Sequence, residues 1–211
     1  MNPNIAVIHY SSTGNTLKLA TGLADGARER GAVVRLLRVA ELAPRDAVEK
    51  NPAWMRHLQK EESAGGTPLA QLDDLVWADG IALGSPTRFG GPTAQLKNFL
   101  DSTGGLWAKG VLAQKVVTAF TSASTSHGGL ESTILALLNT AYHWGALIMP
   151  LGYVDEVVRK HAGNPYGASW VSRSGSSPDD TAVAAARSQG RRFATVVGAL
   201  KRGLAAGAPA A

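Results

Sequence analysis

The sequence predicts an α/β protein built on an open parallel sheet that helices cover on both faces. Two observations carry this expectation. Five short β-rich runs alternate with five helical patterns along the 211 residues, as parallel strands joined by helical crossovers require. The first run, residues 5–10, is largely apolar and ends at once in a Ser/Gly/Asn loop, as a strand buried in a parallel sheet does.

Each element has its own signal. Residues 17–30 set Leu17, Ala20, Ala24 and Ala27 on one helical face, and Gly31 stops the helix. Residues 33–39 read as a second strand, with Arg35 and Arg38 marking incomplete burial. Residues 45–66 are polar and irregular, except that Asn51-Pro52 is an N-cap and first-turn proline opening a short helix with Trp54 and Leu58. Thr67-Pro68 repeats that signal before a helix over 69–75, and 81–84 form the third strand. A helix over 92–102 buries Leu96, Phe99 and Leu100. Residues 116–121 make the fourth strand, 131–142 a helix and 146–149 the fifth strand. Ser177-Pro178-Asp179-Asp180 opens the last helix with an N-cap, a proline at the first position and acids opposing the dipole. That helix runs to Leu200, and the Gly/Ala-rich tail 203–211 is expected to be disordered, leaving 1–202 as one domain.

Composition narrows the function classes. With 45% hydrophobic and 18% charged residues the chain reads as an ordinary globular protein. It contains no cysteine, which excludes disulfides, thiolate nucleophiles and Cys-ligated metal centres. No apolar stretch approaches a membrane span and no secretory signal opens the chain, so a cytoplasmic protein is expected. The formal net charge is +5, and Arg187, Arg191, Arg192, Lys201 and Arg202 form an acid-free run. That run is expected to be a solvated helix face, since no zinc-finger, RNP or basic-zipper pattern points to nucleic acid.

In open parallel sheets, ligands bind beyond the carboxyl ends of the strands, where strand order reverses. The loops after strands one, three and four therefore matter most. The first is Ser11-Ser12-Thr13-Gly14-Asn15-Thr16, between a strand and a helix. A phosphate there would meet unpaired backbone N–H groups, the positive end of the helix dipole and several hydroxyls. A Walker A loop needs Lys where Asn15 stands, and a dinucleotide fingerprint needs three spaced glycines where only Gly14 occurs. No Gly-x-Ser-x-Gly elbow is present, and the histidines lack metal spacing. The chemistry is therefore expected to reside in a cofactor.

Residues 11–16 match the phosphate loop of flavodoxin-like proteins. Gly84-Ser85-Pro86-Thr87-Arg88-Phe89-Gly90 is more specific. Together with Phe99-Leu100-Asp101, Thr103-Gly104-Gly105-Leu106-Trp107-Ala108 and Asn164-Pro165-Tyr166-Gly167-Ala168, it resembles the WrbA-type NAD(P)H:quinone oxidoreductases. The resemblance spans nearly the whole chain. It implies a flavodoxin-like five-stranded sheet of order 2-1-3-4-5, noncovalent FMN, NADH or NADPH as donor, quinone as acceptor, and homodimers pairing into a homotetramer.

Carried over by motif, the phosphate site is Ser11, Ser12, Thr13, Gly14, Asn15 and Thr16. The flavin ring would rest against Pro86, Thr87, Arg88, Phe89 and Gly90, and against Ser122, Ala123, Ser124, Thr125, Ser126, His127 and Gly128. Phe89, Trp107 and Trp144 would offer flat faces to the substrate, Trp107 from a neighbouring subunit if not from its own. His127 and His143 are candidate flavin-site donors, and His143 is the candidate for protonating a quinone oxygen. The chain departs from the family at Thr13, where some members carry a Tyr that contacts the nicotinamide. It departs again at His143-Trp144-Gly145, where some have His-His-Gly, and in a fourth-strand loop poorer in glycine. Neither 85–92 nor 121–130 contains Asp or Glu, so Arg88 faces no competing charge there in stabilising a reduced, anionic flavin. Other classes predict differently: a one-electron FMN carrier needs a partner reductase, and a regulatory protein would use the basic C-terminal helix. His9 is expected to be a core histidine, and His57 and His161 surface ones.

Overall fold

The computed structural model describes residues 1–161 and 163–207. Six strands occur among them: β1 (Asn4–His9), β2 (Val33–Arg38), β3 (Gly80–Pro86), β4 (Val116–Ala123), β5 (Leu147–Ile148) and β6 (Ser169–Val171). All pair in parallel, in the order β2-β1-β3-β4-β5, and β6 also pairs with β4. The helices are α1 (Asn15–Arg28), α2 (Arg45–Glu49), α3 (Pro52–Glu62), α4 (Leu72–Trp77), α5 (Ala94–Asp101), α6 (Gly104–Ala108), α7 (Leu130–Trp144), α8 (Glu156–Lys160) and α9 (Asp180–Gly207). This is the flavodoxin-like arrangement, with helices on both faces of the sheet.

Strand periodicity divides the core. Ile5 and Val7 of β1 point to the face packed by α1 and α9, with Leu19, Leu23 and Phe193. Ala6 and Ile8 point to the other, with Leu96, Leu100, Ile134 and Leu137 of α5 and α7. The helices α1 and α9 approach closely. A Cβ on Gly26 would lie 2.0 Å from the Arg187 carbonyl oxygen, and one on Gly190 would lie 2.0 Å from that of Leu23.

Several boundaries depart from the sequence expectation. The Thr67-Pro68 signal does not start a helix. Arg38 donates its N–H to the Pro68 carbonyl at 2.9 Å and accepts from Ala70 N–H at 2.8 Å, so this segment bridges to the end of β2. The helix waits for the capping box of Gln71 and Asp74. Asn51 does cap α3, its side chain accepting from the N–H groups of Ala53 and Trp54 at 3.1 and 3.2 Å. The irregular stretch also contains α2. At the last helix the cap is Asp179 rather than Ser177, its carboxylate accepting from Ala182 N–H at 2.8 Å. The helix runs on to Gly207, because Leu204, Ala205 and Ala206 are strong helix formers. The disordered tail is thus corrected over 203–207, and 208–211 lie outside the described residues.

The fifth strand is shorter than expected and its lane is split. β5 pairs with Val116 and Val117 of β4, the chain leaves after Met149, and β6 returns to pair with Thr121, Ser122 and Ala123. Gln189 of α9, fully buried, closes the gap. Its amide donates to the Ala119 carbonyl at 3.0 Å and the Thr118 hydroxyl at 2.7 Å, and its oxygen accepts from Ala168 N–H at 2.7 Å. These backbone groups would otherwise be buried without partners.

The basic run is tied down. Arg187 meets Asp25 and Glu29, Arg191 meets Glu29 and Asp155, and Lys201 meets Asp79 at 2.7 Å. Among the described residues no helix is long and apolar enough to cross a membrane.

Candidate cofactor site

The carboxyl ends of β1, β3 and β4 converge at one edge. His9 is level with Gly84, and Pro86 with Ser122, so the three loops stand side by side where strand order reverses between β1 and β3. A cavity of about 440 Å³ opens there. Ser11, Ser12, Thr13, Asn15 and Thr16 line it from the first loop, Pro86, Thr87 and Arg88 from the second, and Ser122, Ala123 and Ser124 from the third.

The first loop is shaped by Gly14, whose φ of 96° is left-handed and suits glycine. Its N–H is held by the Ser11 hydroxyl at 3.0 Å. The N–H groups of Ser12, Thr13, Asn15 and Thr16 donate to no protein acceptor among the described residues, and they open α1 at its positive end. The buried hydroxyls of Thr16 and Ser122 bond each other at 2.9 Å, joining the first and third loops. This donor set fits a phosphate.

Thr87 organises the other two loops. Its hydroxyl donates to the Gly128 carbonyl at 3.0 Å and accepts from Thr133 at 2.8 Å and Gly90 N–H at 3.2 Å. Arg88 and Gly91 exchange backbone hydrogen bonds across a tight turn, with Gly90 at φ 80° and Phe89 at φ 52°. A left-handed Phe is strained, and this one is fully exposed at the tip of its turn. Among the described residues Arg88 is the only charged one lining the cavity, and its guanidinium reaches the Ser12 hydroxyl at 3.4 Å. Thr125 and Gly128 close a turn beyond the cavity, with Ser126 and an exposed His127 between them.

His143, Trp144 and Trp107 are elsewhere. Helix α7 starts beside the third loop and ends before β5, whose Leu147 is level with Val116, the first residue of β4. Fifteen residues of helix span about 22 Å, so these side chains lie at the opposite edge of the sheet from the phosphate loop. Trp144 is buried and donates to Thr103 at 3.2 Å, which makes it a core residue in its own chain. Trp107 is in the short helix α6 rather than a loop; it is exposed and donates to the His143 carbonyl at 2.8 Å.

The sequence reading missed Asn51, Ser172 and Gly175, which also line the cavity. Asn51 was legible as a cap but not as a wall. It also missed Glu41, which accepts hydrogen bonds from Tyr10, Trp54, Gln95 and two backbone N–H groups just behind the first loop. Burial alone would raise the Glu41 carboxyl, but these donors, Tyr10 foremost, hold it below the ordinary carboxylate range. Burial and the same carboxylate push the Tyr10 hydroxyl up. His9 is a core histidine as expected; burial brings it down to about 3, and its Nδ1 has no partner. His57, expected at the surface, is half-buried against Gly14.

Free N–H groups at a helix start and a cavity at the strand-order reversal define a class: open α/β proteins that hold a nucleotide by its phosphate. Residues 3–156 match the model of the NADPH-dependent FMN reductase family, and the chain belongs to that family. A protein of Deinococcus radiodurans named NAD(P)H dehydrogenase (quinone) is 47% identical over 78% of this chain and 81% of its own length. One of the same name from Methylocella silvestris is 41% identical over 93% of this chain and 98% of its own. Among solved structures, a flavodoxin, WrbA-like protein from Agrobacterium tumefaciens superposes with a TM-score of 0.68 at 23% identity, covering 93% of this chain and 98% of that one.

Proposed function

We propose that this chain is an FMN-dependent NAD(P)H:quinone oxidoreductase, acting on quinones with NADH or NADPH as donor. The carrying observation is the cavity that joins the 11–16 loop to the Pro86–Arg88 segment, lined by no carboxylate among the described residues, in a chain whose relatives bear that name. FMN, when bound, supplies a group that takes a hydride from the nicotinamide and passes two electrons to the acceptor. Overall, NAD(P)H, one proton and a quinone give NAD(P)⁺ and a quinol.

The chain's own residues bind and orient. The N–H groups of Ser12, Thr13, Asn15 and Thr16 hold the phosphate, each charge-assisted bond contributing about 1.5–3 kcal/mol. Pro86, Thr87 and Gly90, with Ser122, Ala123 and Ser124, would hold the ring, with Thr125, Ser126, His127 and Gly128 in the adjoining turn. Arg88, the charged residue among the described ones lining the cavity, would favour negative charge on a bound flavin. Phe89 offers an exposed face on which a quinone or nicotinamide stacks.

The same reading makes the assembly a homodimer pairing into a homotetramer, and places it in the cytoplasm. Phe89, Trp107 and Tyr142 leave aromatic surface uncovered in one chain. With His143 at the far edge, Trp107 and His143 reach a quinone only when a neighbouring copy brings them, and His143 then protonates its oxygen. Trp144 serves this indirectly, anchoring Thr103 at the start of α6.

Stopped-flow mixing of the FMN-loaded protein with NADH or NADPH tests the proposal. Rapid bleaching of the flavin, reversed by a benzoquinone, is expected. Bound flavin that neither donor reduces would overturn it.

A further inference from the structure

The phosphate loop has a second side. Behind it lies a small chamber of about 20 Å³, room for one water, lined by His9, Ser11, Arg38, His57 and Glu61 among others. The His57 ring, carried on α3, lies beside the loop at Gly14. A Cβ built on Gly14 would lie 3.6 Å from His57 Nδ1 and 3.8 Å from Cε1. The ring also interacts with the backbone of Ser11, which favours its protonated form.

We propose that His57 is a further residue of the phosphate site, taking up a proton when the flavin phosphate binds on the other side of the loop. The inference rests on the reading of residues 11–16 as the FMN phosphate loop. His57 thereby makes the protein's hold on FMN stronger in mildly acidic solution.

Groups that oppose and groups that favour the imidazolium both surround the ring. Burial works against the imidazolium most, and Lys60 and Arg38 add to that, while Glu61 and the Ser11 backbone work for it. The net effect holds His57 below the ordinary histidine range. From β1 the facing group is His9, itself neutral, and Tyr10 and Glu41 complete the chamber. Arg38 of β2 lies 3.7 Å from Glu61 and so is largely answered by it. From α1, Lys18 and Asp25 border the outer groove, and Lys18 is already engaged with the Pro178 carbonyl at 2.6 Å. Glu61 favours a proton on His57 but is shared with Arg38. A phosphate bound across one turn of backbone would add a second anion beside the ring.

The test is a ¹³C/¹⁵N NMR titration of the histidine rings in the full chain, without and with saturating FMN. FMN affinity is measured alongside, by flavin fluorescence from pH 5.5 to 8, for the protein and for His57→Gln. The His57 titration should move up on FMN binding, and each unit of that rise tightens FMN as much as tenfold at pH values below it. The phosphate's own titration is common to both proteins, so only the His57-dependent part separates their pH profiles. A His57 midpoint that FMN leaves unmoved overturns the inference alone, as do parallel affinity profiles for the two proteins. Failure to bind FMN at any pH overturns both the inference and the function it rests on. The ring titration needs no variant, so a poorly folded His57→Gln protein leaves the test intact.

Discussion

His9 carries its imidazole into the core at the end of β1, 1% exposed and with Nδ1 unpartnered, and this gives acid a specific point of attack. Burial lowers it from 6.5 to about 3, with His57 and Arg38 adding to the effect and a backbone hydrogen bond at Leu37 opposing it. A depressed folded value means that the unfolded chain binds a proton first. The stability His9 allows is complete above pH 6.5 and is lost progressively as the pH falls toward 3. Integrated from pH 7 to pH 5, one such group removes about 2 kcal/mol, a substantial share of the 5–15 typical of a domain. Replacing His9 by Gln keeps a polar side chain and removes the titration. Urea denaturation of both proteins at half-unit steps gives the slopes directly. The wild-type protein should lose about 2 kcal/mol more than His9→Gln between those two pH values. Parallel stability curves would refute the reasoning, whatever the variant's absolute stability.

Three other outcomes follow from particular contacts. Gln189→Leu leaves the Ala119 carbonyl and the Ala168 N–H without their buried side-chain partner, while Thr118 keeps its bond to the Met149 carbonyl, and should lower stability by about 2–4 kcal/mol in urea. Ala at Gly26 or Gly190 forces apart α1 and α9, where a Cβ would meet a carbonyl oxygen at 2.0 Å; a cost of about 1–3 kcal/mol should appear as a lowered Tm. Gly14→Ala must hold a left-handed φ of 96° at a cost of about 1–2 kcal/mol, so fluorescence titration should show FMN bound about tenfold more weakly.

How much was legible depended on how local the signal was. Asn51-Pro52 announced α3 because a cap acts on the next three residues. Thr67-Pro68 carried the same signal and misled, because its backbone was claimed by Arg38 from a strand far back in the chain. The last helix outran its expected end because a Gly/Ala-rich composition was weighed as a tail rather than as helix formers. The loop 11–16 stood out because a strand, a glycine and hydroxyl residues before a helix are neighbours in sequence. Asn51, Ser172 and Gly175 reach the same cavity from segments with no motif of their own.

By itself, then, the sequence determined the parallel α/β sheet, the order of its elements and the strand–loop–helix turn of residues 11–16. Those depend on periodicity, capping and backbone conformation, which act over a few residues. Tertiary structure alone decided that the edge strand is split and mended by Gln189, and that Arg187, Arg191 and Lys201 of the basic run are paired with acids. It decided too that Trp107 and His143 lie a sheet's length from the phosphate loop while His57 lies against it. Each of these is a contact between residues distant along the chain, set by how helices pack across the sheet, and no local pattern encodes it.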